Sequence, residues 1–231
     1  MPVAIWAMAD LHLSLGTDKP MDNFRGWYDY VNRIEQSWRE SVKPEDTVVI
    51  PGDFSWGIDL EEALPDFQFI EALPGKKLVM KGNHDYWWTT RTKAEKFFTE
   101  KGLKTIEILH NNSVLCEGKA LCGTRGWVFM PNEPHDLKIS AREAARLELS
   151  LQDSMHFPDA EKVVFLHYPP VYANEMVPNI FDVLYKYKVK RVYYGHIHGA
   201  ARSAANEGEY MGINFKLISA DNLGFKLFPI E

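Results

Sequence analysis

Cysteine is almost missing from this chain: Cys116 and Cys122 are the two it has in 231 residues. That excludes a disulfide framework and a zinc site built on paired cysteines. With no secretory features around them, both read as small buried apolar side chains in a short hairpin around Glu117 to Lys119. A long hydrophobic run is also missing. The opening "MPVAIWAMADLHL" is apolar for a few residues, has no basic start, and meets Asp10 far short of the ~20 residues of a membrane span. No membrane partner is expected, and the expected location is cytoplasmic. Nor is there a run of Lys or Arg: 26 basic against 32 acidic side chains leave a net charge of −6. A broad grip on duplex DNA through phosphate neutralisation is therefore not expected. No repeat, low-complexity tract or Pro/Gly/Ser linker divides the chain, so residues 1–231 read as a single domain.

The composition, 45% hydrophobic and 25% charged, suffices for a sizeable core. Short β-rich runs, "VAIWAMA", "DTVVIP", "KKLVMK", "KVVFLHY", "VKRVYYG" and "INFKLIS", are separated by helical patterns. Asp22 is placed to cap a helix with Phe24, Trp27, Tyr28, Val31, Ile34 and Trp38 on one face. Capping-box spacings predict a second helix from Asp59, with Glu62, and a third from Ser140, with Glu143. "PNIFDVLYKYK" supplies a further one. Residues 104–128 read as shorter strands, so the later sheet need not be purely parallel.

Nearly every predicted strand ends in Asp, His or Asn. "WAMADLH" leads to Asp10 and His12, "VVIPGDFS" to Asp53, and "VMKGNHD" to Asn83, His84 and Asp85. "VVFLHYPP" leads to His167, and "VYYGHIH" to His196 and His198. The carboxyl ends of strands are where α/β sheets form ligand crevices. Asp and neutral His ligate divalent transition metals and Asn adds a carbonyl oxygen, so this set is too large for one ion and sufficient for two. The glycines before Asp53, Asn83 and His196 suit tight turns that use positive φ. In an extended segment, Asp10 with His12, and His196 with His198, point to one side as pairs. Taken singly, each motif is commonest as a plain turn or a surface histidine; their joint occurrence at strand ends is what points to a metal site.

In their order, "DLH", "GD", "GNHD", His167 and "GHIH" resemble the calcineurin-like metallophosphoesterase superfamily, over Asp10 to His198. The helix-forming "PMDNFRGW" and aromatic "GNHDYWW" make the chain similar to a bacterial branch of predicted phosphohydrolases. The resemblance implies an α/β fold: a four-layer α/β/β/α sandwich of two mixed sheets with a dinuclear metal site at one rim. It implies that Asp10, His12 and His198 hold one ion, that Asn83, His167 and His196 hold the other, and that Asp53 bridges them. It also implies that His84 protonates the leaving oxygen and that Asp85 orients His84. The cofactors would be two divalent transition-metal ions, with Mn, Fe, Zn and Co all compatible with such ligands.

The expected reaction is hydrolysis of a small phosphate ester, the diester slightly ahead of the monoester, by a hydroxide held between the ions, with His84 as general acid. Arg125, after another strand, is a candidate for substrate phosphate. Trp56, Tyr86, Trp87, Trp88, Trp127 and Tyr168 lie near these blocks, where aromatic faces suit a nucleotide-like ester, although core packing is their commoner role. The alternatives are a phosphatase, a nuclease, which the acidic balance disfavours, and a non-catalytic metal-binding module, which would show eroded ligands. Oligomeric state is not legible.

Overall fold

The structure, a computed structural model, describes residues 3–128 and 134–231. Along the chain come β1 (Ile5–Ala7), α1 (Tyr30–Ser41), β2 (Thr47–Ile50), α2 (Leu64–Glu71), β3 (Lys76–Val79), α3 (Arg91–Glu100) and β4 (Ile106–Ile108). They are followed by β5 (Ser113–Cys116), β6 (Lys119–Thr124), α4 (Pro134–Asp153), β7 (Glu161–Leu166), β8 (Val171–Tyr172) and β9 (Glu175–Met176). The last are α5 (Pro178–Lys186), β10 (Arg191–Tyr194), β11 (Gly208–Tyr210), β12 (Ile213–Leu217) and β13 (Phe228–Pro229).

Two large mixed sheets result. One has the order β13-β1-β2-β3-β4, the other β11-β12-β10-β7-β6-β5, and β8 pairs with β9 as a small ribbon. In the first, β1 to β4 are parallel and β13 is antiparallel; in the second, β12, β10, β7 and β6 are parallel, with β11 and β5 antiparallel at the edges. Strand alternation sorts the apolar side chains into three layers of core. Ala7, Val49 and Leu78 meet Leu121, Val163, Phe165 and Tyr193 between the sheets. Val48, Ile50 and Val79 pack outward against Ile34 and Trp38 of α1, Phe67 of α2 and Phe98 of α3. Val164, Leu166, Val192 and Tyr194 pack against Leu147 of α4 and Ile180 and Leu184 of α5. Helix, sheet, sheet, helix is thus the layer order.

Three expected helix starts are displaced. Asp22 does not cap α1; its carboxylate accepts from the Asp29 N–H, because Gly26 at φ 94° interrupts the helical path and α1 begins at Tyr30. Phe24 and Tyr28 are exposed, and Trp27 is buried in the turn. Asp59 Oδ1 does accept from Glu62 N–H, but it closes a turn, and α2 begins at Leu64 with Pro65 in its first turn. α4 begins before Ser140, whose hydroxyl donates back to the Leu137 carbonyl, so Ser140 is no cap. The amphipathic α3, capped at Thr90, was not among the expected helices. In the β5–β6 hairpin Cys116 lies opposite Lys119 and Cys122 opposite Ser113; both cysteines are free, and burial pushes the Cys122 thiol up to about 12. No helix among the described residues is long and apolar enough to cross a membrane.

Candidate metal centre

The sheets meet where β1 and β12 run out. Ala9 N–H donates to the Ile218 carbonyl, while Asp10 and His12 donate to the carbonyls of Gly52 and Asp53 beyond β2. This places the chain leaving β1 between both sheets, with Asp10 and His12 on it. Asp10, His12, Asp53 and His196 all have positive φ, between 45° and 71°, in the sparsely populated left-handed region. The expected extended geometry of "DLH" and "GHIH" is therefore corrected. His196 and His198 do not form a same-side pair; a left-handed turn at His196 sends the two rings to different clusters. The glycine reading also changes. Gly52 does use positive φ, but Gly82 and Gly195 are required for space: a Cβ would stand 2.1 Å from Asp53 Oδ1 at the first and 2.5 Å from Asp10 Oδ2 at the second.

Two donor groups form, each with ligand atoms within 4.8 Å of one another: Asp10, His12 and His198, and Asp53, His167 and His196. Asn83 joins the second, its Oδ1 lying 2.7 Å from His167 Nε2. Asp53 faces both groups, with Oδ2 3.7 Å from His12 Nε2 and Oδ1 3.5 Å from His167 Nε2.

The protonation pattern of this cluster calls for cations. Burial, followed by the charge of Asp10, pushes the Asp53 carboxyl up to about 8. Burial also lowers His12 and His196 to about 3, keeping them as neutral lone-pair donors. For Asp10, burial acts upward, but His198, His167 and His12 outweigh it and hold the carboxyl well below its usual range. His198 is pushed up to about 10: burial opposes the charged ring, and the Asp10 and Asp221 carboxylates prevail. At His167, which burial lowers, Nδ1–H donates to the Pro51 carbonyl at 3.2 Å, so the neutral ring aims the Nε2 lone pair at Asn83 Oδ1. In that tautomer Nε2 and Asn83 Oδ1 are two lone-pair donors side by side, an arrangement that suits a shared metal ion. His198 Nε2 stands 3.5 Å from Asp10 Oδ1 and His12 Nε2 3.7 Å from Asp53 Oδ2, each nitrogen facing a carboxylate that would share a metal ion with it. The residues present fit a pair of divalent metal ions.

His84 stands beside the groups, its ring 5.7 Å from His12 and 4.5 Å from Trp56. Burial, with the neighbouring His167 and His198, lowers it. Asp85 is not where the resemblance put it. Its buried carboxylate accepts from the backbone N–H of Gly82, Asp53, Phe54 and Ser55 and from Trp87 Nε1, and makes no bond to His84, whose Nδ1 has no partner. Four backbone donors from two loops saturate a carboxylate, so Asp85 ties the β2 and β3 loops together instead of orienting an imidazole. Burial, then Asp53, pushes it up to about 6.

One functional residue was missed. Asp221 accepts from His198 Nδ1–H at 2.9 Å and from Gly199 N–H, fixing the tautomer that turns Nε2 toward Asp10. It follows "INFKLIS", so the same strand-end signal was present. Arg125 lies at the end of β6, its carbonyl accepting from His167 and Tyr168 N–H and its guanidinium over the Trp127 ring at 5.1 Å. The aromatic set divides. Trp87 is buried on Phe54 and Phe67, Trp88 packs on His110, Trp56 stacks on His12 at 5.0 Å, Tyr86 is exposed, and Tyr168 lies 4.2 Å from His196.

A two-sheet sandwich with buried and half-buried Asp, His and Asn donors at one rim forms a candidate metal centre. A family profile for calcineurin-like phosphoesterases matches residues 3–200, and the chain belongs to that family. The family depends on two divalent metal ions and acts on small phosphate esters. Among curated proteins no sequence match reaches significance. The fold is similar to that of TT1561 of Thermus thermophilus, at 11% identity and TM-score 0.58, covering 100% of this chain and 99% of that one. It is also similar to phosphopantetheinyl hydrolase (PptH) from Mycobacterium tuberculosis, at 13% identity and TM-score 0.55, covering 99% and 96%. A third likeness is to AQ665 from Aquifex aeolicus, described as of unknown function, at 16% identity and TM-score 0.52, covering 98% and 95%.

Proposed function

We propose that the protein is a phosphodiesterase acting on a small ester, with Asp10, His12 and His198 holding one ion, Asn83, His167 and His196 the other, and Asp53 shared between them. The observation that carries this reading is the placement of Asp53, each of whose oxygens faces a different donor group. When bound, a pair of divalent ions supplies positive charge for the phosphate oxygens and an activated water as nucleophile. The chain's own part is to hold the ester against Asp53 and to manage the leaving group's proton. His84 is the proton donor: its ring stands beside the donor groups with Nδ1 free of other partners. Its lowered affinity for protons makes the ring, once protonated, ready to give that proton to a departing alkoxide. Asp85 is a positioning residue, holding Gly82 and Asp53 so that His84 N–H donates to Asp53 Oδ1 at 2.8 Å.

A nucleotide-like ester is favoured by Trp56, Trp127 and Tyr168, which line the rim half-buried with ring faces near the site. Two free cysteines accord with a cytoplasmic setting. Manganese is the metal to load first, carboxylate and imidazole donors together suiting it. The test is turnover of bis(p-nitrophenyl) phosphate against p-nitrophenyl phosphate by metal-stripped protein reloaded with Mn²⁺. Preference for the diester supports the reading; preference for the monoester replaces it with a phosphatase.

A further inference from the structure

Outside the two donor groups, positive charge gathers around one carboxylate among the described residues. The buried Glu143 carboxylate of α4 faces three arginines: Arg146 Nη1 at 2.7 Å, Arg125 Nη2 at 3.5 Å and Arg142 Nε at 3.7 Å. No second carboxylate pairs with any of the three among the described residues. Lys81 is half-buried and follows Met80, whose side chain lies against Gly123 of β6, two residues before Arg125. It has no ion-pair or hydrogen-bond partner among the described residues, and the charges of Arg125, Asp85, Arg146 and Glu143 all act on it. Arg125 Nε is buried and likewise unpartnered.

Among the described residues, then, three arginines share the Glu143 carboxylate, and Lys81 beside them has only the charges of Glu143 and of Asp85, which is already engaged by backbone N–H groups, to offset theirs. Crowding like charges at a partly dry surface is unfavourable, and an anion drawn from solution relieves it. Glu143 also accepts from Thr124 Oγ1 at the end of β6, which fixes the cluster to the rim. The Tyr168 ring lies 6.0 Å from the Arg125 guanidinium and 4.2 Å from the His196 ring, so the cluster stands one side chain away from the metal donors.

We propose that Lys81, Arg125 and Arg146 form a second anion site beside the metal centre, and that the substrate is a phosphate ester carrying a further phosphate group held there. This rests on the phosphoesterase reading and names the substrate class for it. The guanidinium forks of the two arginines suit a phosphate's paired oxygens, and Lys81 adds a point charge. Trp127, under Arg125, and Tyr168 offer flat apolar faces to the organic part between the two phosphates.

The test is calorimetric titration of the Mn²⁺-loaded protein with propylphosphonate and with bisphosphonates of three-, four- and five-carbon linkers, none of which has an ester bond to break. At least one bisphosphonate is expected to bind about tenfold or more tighter than the monophosphonate. That advantage is expected to collapse in Lys81→Gln and Arg146→Gln and to persist in Lys81→Arg. Lys81 makes no hydrogen bond or ion pair among the described residues, so thermal melting of Lys81→Gln should match the parent protein. Equal affinity for all four compounds, or an advantage that survives both Gln variants, overturns the proposal. Turnover of bis(p-nitrophenyl) phosphate in the same preparations reads the parent reading separately: tight bisphosphonate binding without turnover sustains the anion site and counts against the phosphodiesterase.

Discussion

The two sheets contribute to one rim in different ways. The loops after β1, β2 and β3 bring Asp10, His12, Asp53 and Asn83, held by backbone: three of the four residues have positive φ, and Asp85 binds four backbone N–H groups beneath them. The loops after β7 and β10 bring His167, His196 and His198, and two of these rings are aimed by a single hydrogen bond each, from Nδ1 to the Pro51 carbonyl or to Asp221. A carboxylate has no tautomer to set, so its position is everything; an imidazole must present the correct nitrogen, and one partner decides which. The carboxylate half should therefore fail abruptly when altered, and the imidazole half by degrees.

The largest effect is expected from Asp53→Ala, which removes the group both donor clusters face. At least one metal ion and nearly all turnover should be lost, by elemental analysis and ester assay; retention of both ions would break the comparison. Next comes His84→Ala, which should keep both ions and lose about 10²–10⁴-fold in rate, least for esters with acidic leaving groups. A uniform loss across leaving groups would make His84 structural. Asp221→Asn tests the imidazole half. Metal affinity at the first cluster should fall by about 10–100-fold, with the fold intact by circular dichroism and activity recovered at high metal concentration.

The smallest effect concerns Asp66, which anchors the β1 and β2 loops through Leu15 N–H and Ser55 Oγ. Burial raises its carboxyl from 3.8 to about 6, so the folded state binds this proton more tightly than the unfolded chain does. The stability it confers is complete below pH ~4 and is lost as pH rises through ~6, at most about 3 kcal/mol. Urea unfolding of Asp66→Asn should show this part of the pH dependence flattened; an unchanged slope would place the titration elsewhere.

Much of this was legible in the sequence because it depends on strands. Alternation and length marked the main strands of both sheets, and polar residues just past them pointed to one rim. What failed depends on backbone events that residue identity does not encode. The left-handed turns at Asp10 and His196 replace an expected extended pairing, and Gly26 moves the start of α1 eight residues past Asp22. The contacts of Asp85 arise where two loops meet, which neither loop shows alone. Asp221 carried the same signal as its neighbours but lies outside the recognised blocks. The role of Glu143 differs again: its spacing from Ser140 imitates a cap, while its burial among arginines appears only when α4 packs on β6.

The most direct measurement is a titration of metal-stripped protein with Mn²⁺, following bis(p-nitrophenyl) phosphate turnover against metal bound per chain, with Asp53→Ala alongside. Activity that rises until two ions are bound, and stays absent in the variant, is the predicted result. Full activity with one ion or none, or an active Asp53→Ala protein, would contradict a centre shared through Asp53.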